Sequence, residues 1–136
     1  MTPAARTVLD ASAILAYLLI EPGADVVRLA LSGSAVVSSV NWAEVLSKMS
    51  DLGGDPREIS SRLARTGILG GALHITTFDE QLAREVARLR PLTKSAGLSL
   101  ADRACLALGS SLGIPVLTAD RSWQSLRIGV KVRPIR

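Results

Sequence analysis

Four acidic side chains are placed where they could hold a divalent cation. Asp10 closes the apolar run TVLD and Asp120 closes PVLTAD, so each lies at or just past the carboxyl end of a predicted strand. Glu44 in NWAE and Asp102 in SLAD lie in the first turn of predicted helices. Helices that follow parallel strands begin at the sheet edge where those strands end, so the four carboxylates would meet there. Because Mg²⁺ and Mn²⁺ prefer oxygen ligands, the pattern predicts a site for one or two of these cations.

Helix capping is the structural alternative for two of these acids. NWAE and SLAD both fit a pattern in which an acid at the third helical position faces back to the cap, which would explain Glu44 and Asp102. Capping and metal binding are compatible. In this interpretation capping gives no reason for Asp10, because a carboxylate directly behind Val8 and Leu9 is costly to bury unless its charge is compensated. The alternative for Asp10 is a partly exposed aspartate that starts a turn.

Two hydroxyl side chains and two arginines accompany the acids. Ser12 and Thr118 are predicted to fix the rotamer of a metal-bound carboxylate or to hold a coordinated water, although either could instead cap a helix. Arg103 is a candidate for contact with a scissile phosphate, and Arg121 is a weaker one. Each arginine could equally form a surface ion pair. No catalytic base is required, because a metal can itself lower the pKa of bound water.

Three other reactive side chains have structural explanations. Asp79 lies near the start of a predicted helix, where the helix N-terminus favours a negative charge. His74 is predicted to be hydrogen-bonded within a strand. Cys105 is the only cysteine and lies at a buried helical position in LADRACLAL, so no intrachain disulfide and no thiolate metal site can form.

Short apolar strands that alternate with helices must position these residues. Pro22 and Gly23 divide the apolar stretch after Asp10 into two helices, and Pro91 is predicted to end a later one before a loop, PLTKSAG. The predicted strands are Arg6–Asp10, Ala35–Ser38, Leu73–Ile75, Pro115–Leu117 and an edge strand, Val130–Arg133. Of the later predicted helices, one spans Asn41–Leu52, and the next is capped by Asp55 and has Pro56 as its first residue. A third spans Thr77–Arg90, with Phe78, Leu82, Val86 and Leu89 facing inward. The last begins after the cap Ser99 and ends at about Leu112, before Gly113.

This alternation predicts an α/β fold of three layers, α/β/α, with a mostly parallel central sheet of about five strands. The length of 136 residues suits a single domain over residues 1–136. The apolar run Val8–Ile20 is interrupted by Asp10 and is shorter than the roughly 20 residues that cross a bilayer. We therefore expect a cytoplasmic protein without a membrane partner.

Composition limits the kind of partner. The net charge of +4, from 16 basic and 12 acidic residues, could attract a phosphodiester backbone to an acidic pocket, although it also suits any soluble protein of high pI. Only 3% of the residues are aromatic, so no platform for stacking several unpaired bases is evident. If the substrate is a nucleic acid, the shape of its backbone should matter more than its bases.

Taken together and in order, these motifs resemble the PIN domain family, and more closely the VapC-type toxins of bacterial toxin–antitoxin pairs. TVLDASAILAYL resembles the family's first strand and helix, SSVNWAEVLSKM carries its glutamate, and GLSLADRACLALGSSLGIPVLTADRSW is similar to its most specific segment. The resemblance covers almost the whole chain. It assigns the catalytic and metal-binding roles to Asp10, Glu44, Asp102 and Asp120, with Thr118 ahead of the last.

The resemblance implies a Mg²⁺- or Mn²⁺-dependent endoribonuclease that hydrolyses a phosphodiester in RNA, often tRNA or ribosomal RNA. It also implies a homodimer and a VapB-type antitoxin that obstructs the acidic pocket. Three other classes are weighed against this one. A receiver-like signalling domain needs an aspartate after the third strand and a lysine after the last, but His74 to Thr77 and Lys131 do not match. An aspartyl phosphatase needs a second aspartate, which Asp10-Ala11-Ser12 lacks. A catalytically silent binding module would keep the fold and use the acids only as caps.

Overall fold

A parallel sheet with helices on both faces forms the centre of the protein. The computed structural model describes residues 4–136. Within that range the strands are β1 (Thr7–Leu9), β2 (Ala35–Ser38), β3 (Leu73–Thr76), β4 (Val116–Thr118) and β5 (Val132–Pro134). The α-helices are α1 (Ala11–Leu18), α2 (Ala24–Ser32), α3 (Ser39–Asp51), α4 (Pro56–Arg65), α5 (Glu80–Thr93) and α6 (Leu100–Leu112). Two short 3-10 helices span Lys94–Ala96 and Arg121–Ser125.

The strand order β3-β2-β1-β4-β5 explains where a site can form. Every neighbouring pair is parallel, with Val8 opposite both Val36 and Val116 in the register. The chain moves outward from β1 through β2 to β3, and then returns to the other side of β1 with β4. Ligands of open parallel sheets bind beyond the carboxyl ends of the strands where the order reverses, which here lies between β1 and β4.

Side chains that alternate along the strands divide the core into two apolar layers. Val8 and Val36 pack with helices α5 and α6 on one face, whereas Leu9 and Val37 pack with helices α1 to α4 on the other. The middle strands are buried on both faces, which agrees with their mostly apolar sequences. The predicted three-layer α/β/α fold is therefore confirmed, and its sheet is parallel throughout.

Several predicted boundaries are wrong. Helix α5 begins at Glu80 after the cap Asp79, so Phe78 lies outside it. Pro91 does not end that helix, which continues to Thr93 and takes in the first part of the predicted loop, while residues 94–96 form a 3-10 turn. A proline removes one backbone N–H from the helix. The helix continues because Leu89 and Thr93 are buried in the core and the Thr93 hydroxyl donates to Leu89 O at 2.8 Å.

The edge strand also differs from its prediction. It was expected at Val130–Arg133, but β5 begins at Val132 and ends at Pro134. A proline is tolerated in an edge strand because the side without a donor faces away from the ladder. The first strand is one residue shorter at each end than predicted. Strand β4 begins and ends one residue later than predicted, and α3 begins at Ser39, two residues earlier. Within residues 4–136, no helix has both the length and the apolar character that crossing a bilayer requires.

Candidate metal centre

All four predicted acids line one cavity at the reversal of strand order. It has a volume of about 180 Å³ and lies at the carboxyl edge of the sheet. Its wall consists of Asp10, Ala11, Ser12, Asn41, Glu44, Asp102, Asp120 and Trp123. The fold thus brings together side chains that are far apart in the sequence, with 110 positions between Asp10 and Asp120.

Asp10 is the most buried of these carboxylates, with 6% of its surface exposed. It follows β1 and is the N-cap of α1, where Oδ1 accepts from Ala13 N at 2.8 Å. The expectation that capping gives no reason for Asp10 is therefore wrong, as is the alternative of a partly exposed turn residue. Burial raises the pKa of Asp10 above its ordinary value, and the nearby charge of Asp102 adds to this, while its hydrogen bonds act in the opposite direction.

Ser12 and Thr118 hold the Asp10 carboxylate from two sides. The Ser12 hydroxyl donates to Asp10 Oδ1 at 2.7 Å, and the Thr118 hydroxyl donates to Asp10 Oδ2 at 2.5 Å. The hydroxyl oxygens of Ser12 and Thr118 also accept hydrogen bonds from the backbone that follows β4. Ser12 Oγ accepts from Ala119 N at 2.9 Å, and Thr118 Oγ1 accepts from Asp120 N at 3.0 Å. They connect the ends of β1 and β4, and neither of them caps a helix.

Asp102 combines the two roles that its sequence pattern allowed. It is the third residue of α6 in a capping box, where Oδ2 accepts from Ser99 N at 3.0 Å while Ser99 Oγ accepts from Asp102 N at 3.1 Å. The same side chain lines the cavity. The helix N-terminus and its cap therefore fix the direction of this carboxylate.

The position of Glu44 differs from the capping prediction. Helix α3 is capped by Ser38, so Glu44 lies in the second turn and not at the third position. Its partner is Asn41, whose Nδ2 donates to Glu44 Oε1 at 3.0 Å. Sequence reasoning missed Asn41, although an amide three residues before an acid on one helix face is a spacing that lets the two side chains meet.

Asp120 follows β4 and caps the second 3-10 helix. Its Oδ1 accepts from Ser122 N at 3.0 Å and from Ser122 Oγ at 2.6 Å. The hydrogen bonds of Asp102, Asp120 and Glu44 to residues 4–136 each involve a single carboxylate oxygen, and the other oxygen remains available. Three acids can therefore bind a ligand without losing the contacts that position them.

The donor set fits a hard cation, although it is not a preformed cage. No three His, Cys, Asp or Glu side chains in the described part of the chain are already grouped closely enough to hold an ion. The wall nevertheless offers carboxylate oxygens, and Asn41, which also lines it, has an amide oxygen that is buried without a hydrogen-bond partner in the described part of the chain. Oxygen ligands of this kind suit Mg²⁺ and Mn²⁺, and a cation would favour the ionised form of Asp10.

The two arginines do not line the cavity. Arg103 Nη1 donates to Val86 O on α5 at 3.1 Å, so its guanidinium is turned toward that helix. Arg121 Nε donates to Arg136 O at 2.6 Å. Neither forms the surface ion pair that was its alternative with any residue from 4 to 136, and this conformation gives no support for a direct contact with phosphate.

The remaining reactive side chains lie outside the cavity. Asp79 caps α5 by accepting from Leu82 N at 2.9 Å, as its structural explanation required. His74 Nε2 is buried and has no partner among residues 4–136, so the hydrogen bond expected for His74 is not found at that nitrogen. Cys105 is fully buried, and burial raises the pKa of its thiol well above its usual range, with the charges of Asp10, Asp102 and Glu44 adding to the shift.

Comparison with known proteins decides the family. A family model described as the PIN domain matches residues 7–128. The chain belongs to the PIN domain family. The match runs from β1 to beyond the second 3-10 helix and so includes every acid of the cavity. No curated protein matches this PIN domain closely enough in sequence to be counted as a relative.

Solved structures share the fold of this PIN domain. A toxin–antitoxin complex from Klebsiella pneumoniae matches with a TM-score of 0.70 and 17% identity, covering 96% of this chain and 98% of that one. The DNA-bound VapBC from Salmonella typhimurium matches with a TM-score of 0.71 and 17% identity, covering 98% and 100%. FitAcB from Neisseria gonorrhoeae matches with a TM-score of 0.69 and 24% identity, covering 93% and 95%.

Proposed function

We propose that this PIN domain is a Mg²⁺- or Mn²⁺-dependent endoribonuclease toxin of the VapC type. It hydrolyses phosphodiester bonds in RNA, with tRNA or ribosomal RNA as the expected target. The observation that carries the proposal is the convergence of Asp10, Glu44, Asp102 and Asp120 on one cavity at the reversal of strand order. When bound by these acids, the cation would neutralise charge at the phosphate and activate water for attack on phosphorus.

The chain's own residues prepare the site by fixing the acids in place. Three donors hold Asp10, a capping box holds Asp102, and the turn at Ser122 holds Asp120. Such contacts orient metal ligands and reduce the reorganisation needed when an ion binds. Ser12 and Thr118 serve this purpose in the proposal, because they contact Asp10 and the segment that carries Asp120.

A VapB-type antitoxin and a homodimer belong to the same proposal. The solved structures that share this fold include a toxin–antitoxin complex and VapBC assemblies. Large apolar side chains are exposed on this chain, with Ile20 at 87%, Leu29 at 74% and Leu100 at 59%. Leu100 and Asp102 both lie in the first turn of α6, so a partner that covers this end of the helix would also approach the acidic cavity.

A catalytically silent binding module is the second candidate, because three of the acids also have capping roles. Asp10, Asp102 and Asp120 each accept a backbone N–H at the start of a helical segment, which would keep them useful without any metal. Measurements on variants that retain the cap but lose the charge separate the two functions.

RNA cleavage by the purified chain, free of any partner, tests the proposal. Total RNA and a DNA of matched sequence are incubated with the protein and Mg²⁺ or Mn²⁺, with and without chelator, and the new ends are mapped. We expect cleavage of RNA that requires the cation. Asp10→Asn should abolish it while the fold is retained.

Asp79→Asn is the matched control for the loss of a capping carboxylate. Asp79 accepts from Leu82 N at 2.9 Å, much as Asp10 accepts from Ala13 N at 2.8 Å, but it does not line the cavity. Asp79→Asn should therefore cleave like the natural protein. Full cleavage by Asp10→Asn, or cleavage that continues in chelator, would exclude the metal-dependent mechanism, and a folded protein that cuts no RNA would favour the silent module.

A further inference from the structure

Asn41 joins the two helices that carry acids in the cavity. Its side chain is 2% exposed and lines the cavity wall. Nδ2 donates to Glu44 Oε1 at 3.0 Å and to Ala101 O at 3.0 Å. Ala101 immediately precedes Asp102 on α6, so one amide group sets the position of Glu44 on α3 relative to Asp102.

The orientation of this amide follows from its partners. Both contacts of Nδ2 are with acceptors, a carboxylate oxygen and a backbone carbonyl, so a nitrogen must occupy that position. The amide oxygen Oδ1 is then fixed on the opposite branch. It is buried and accepts no hydrogen bond from the part of the chain that the structure describes.

An unpartnered acceptor on a residue of the cavity wall is a place where a donor would be favoured. Leaving a buried polar group unsatisfied costs about 1–3 kcal/mol, so such groups are rare unless an occupant completes them. Trp123 Nε1, on the same cavity wall, is likewise buried without a partner. Oδ1 belongs to the same amide as the nitrogen that holds Glu44, so a donor to Oδ1 would interact with the group that positions that carboxylate.

We propose that Asn41 is a positioning residue of the cation site: Nδ2 fixes Glu44 against α6, and Oδ1 accepts a hydrogen bond from a water that the cation carries. Mg²⁺ keeps several of its waters when it binds to proteins, and those waters need acceptors. The inference rests on the proposed function, since it requires a cation among the acids. It gives a role in the site to Asn41, the first residue of NWAE, in addition to the four acids.

Cation affinity of Asn41→Leu is the first test, measured as the dissociation constant for Mn²⁺ by calorimetry on the full chain. Leucine has a similar shape but can neither hold Glu44 nor accept from a water. Because partners of metal ligands typically change affinity by 10–100-fold, we expect binding at least about tenfold weaker. Thr93→Val is the control, since it removes a buried hydroxyl that donates to Leu89 O and lies on α5, outside the cavity. It should lower stability without changing Mn²⁺ affinity.

Thermal unfolding of Asn41→Asp is the second test, and it does not depend on the leucine variant being well folded. The substitution keeps an acceptor but places an oxygen against Glu44 Oε1 and Ala101 O, so the metal-free protein should unfold at a lower temperature. A cation beside it should compensate, and Mn²⁺ should raise the unfolding temperature more than it does in the natural protein. A deficit that is equal with and without Mn²⁺ would show that Asn41 acts only as a structural link.

The outcomes separate this inference from the proposed function. If the natural protein binds no Mn²⁺ and cuts no RNA, both fail. If it binds and cuts, but Asn41→Leu retains its Mn²⁺ affinity within about twofold, only the role of Asn41 is overturned, since an outer partner should change affinity at least tenfold. If Mn²⁺ affinity is retained and KM for RNA rises instead, Oδ1 faces the substrate, and the assignment to the cation is wrong.

Discussion

Removal of the Thr118 hydroxyl should destabilise the metal-free protein through Asp10. Thr118 is fully buried; it donates to Asp10 Oδ2 at 2.5 Å and accepts from Asp120 N at 3.0 Å. Thr118→Val keeps the shape but removes both contacts. A hydrogen bond to a charged group contributes about 1.5–3 kcal/mol, and the Asp120 N–H loses its partner as well, so we expect a loss of about 2–4 kcal/mol in the free energy of unfolding at neutral pH.

The loss should depend on pH in a defined direction. Burial already raises the pKa of Asp10 in the folded state, and the Thr118 hydrogen bond is the largest of the opposing contributions, so the valine variant should raise that pKa further. A folded protein with the raised carboxyl pKa binds more protons than the unfolded chain, so its stability falls as pH rises from the unfolded pKa through the folded one. In the variant this decline extends to higher pH. The difference between the two proteins should be smaller in acid, where both carboxyls are protonated and the lost Asp120 N–H contact still counts, and fully developed at neutral pH.

Urea unfolding across this pH range, in the presence of chelator, measures the effect. Thr118→Ser is the matched control, because it keeps the hydroxyl and should lose much less stability at neutral pH. A loss below about 0.5 kcal/mol in Thr118→Val, or a loss that is the same in acid and at neutral pH, would refute the argument that this hydroxyl supports a buried carboxylate.

Two further predictions concern Asp102 and Cys105. Asp102→Ala should lower the free energy of unfolding by about 1 kcal/mol through loss of the cap at Ser99 N, whereas Asp102→Asn should retain most of that stability. Calorimetry should show that both variants lose Mn²⁺ affinity. An asparagine variant that binds Mn²⁺ normally would contradict the site. Cys105 should resist a thiol reagent in the folded protein and react once urea unfolds it, since the thiol is fully buried and its pKa is raised; rapid reaction of the native protein would show that the core beneath the acids is open.

The fold could be predicted because its signals are local. Short apolar runs such as Ala35–Ser38 form strands, and the cap Ser99 with Gly113 at φ 66° bounds α6 as expected. Asp10 and Asp120 were found because each follows such a run directly. Pro91 misled the prediction of α5, since tertiary packing at Leu89 and Thr93 outweighs one missing hydrogen bond.

The details of the site depend on contacts between distant segments, which local patterns do not specify. The pairing of Thr118 with Asp10 joins residues 108 positions apart, and Asn41 reaches Ala101 across 60 positions. Glu44 was placed in a capping pattern because NWAE resembles one, whereas the helix begins earlier, at Ser39. Arg103 was adjacent to an acid in sequence, but a helix turns neighbouring residues to different faces, and its guanidinium contacts Val86 O instead.

A crystal structure of the chain with Mn²⁺, analysed by anomalous scattering, tests the central claim most directly. The account predicts a manganese peak in the acidic cavity, with oxygens of Asp10, Glu44, Asp102 or Asp120 at roughly 2.0–2.5 Å, the range of oxygen ligands around such cations. In Asp10→Asn the peak should weaken or vanish. A cavity without a peak at saturating Mn²⁺, or manganese bound only elsewhere on the surface, would contradict the claim that these four carboxylates share a cation.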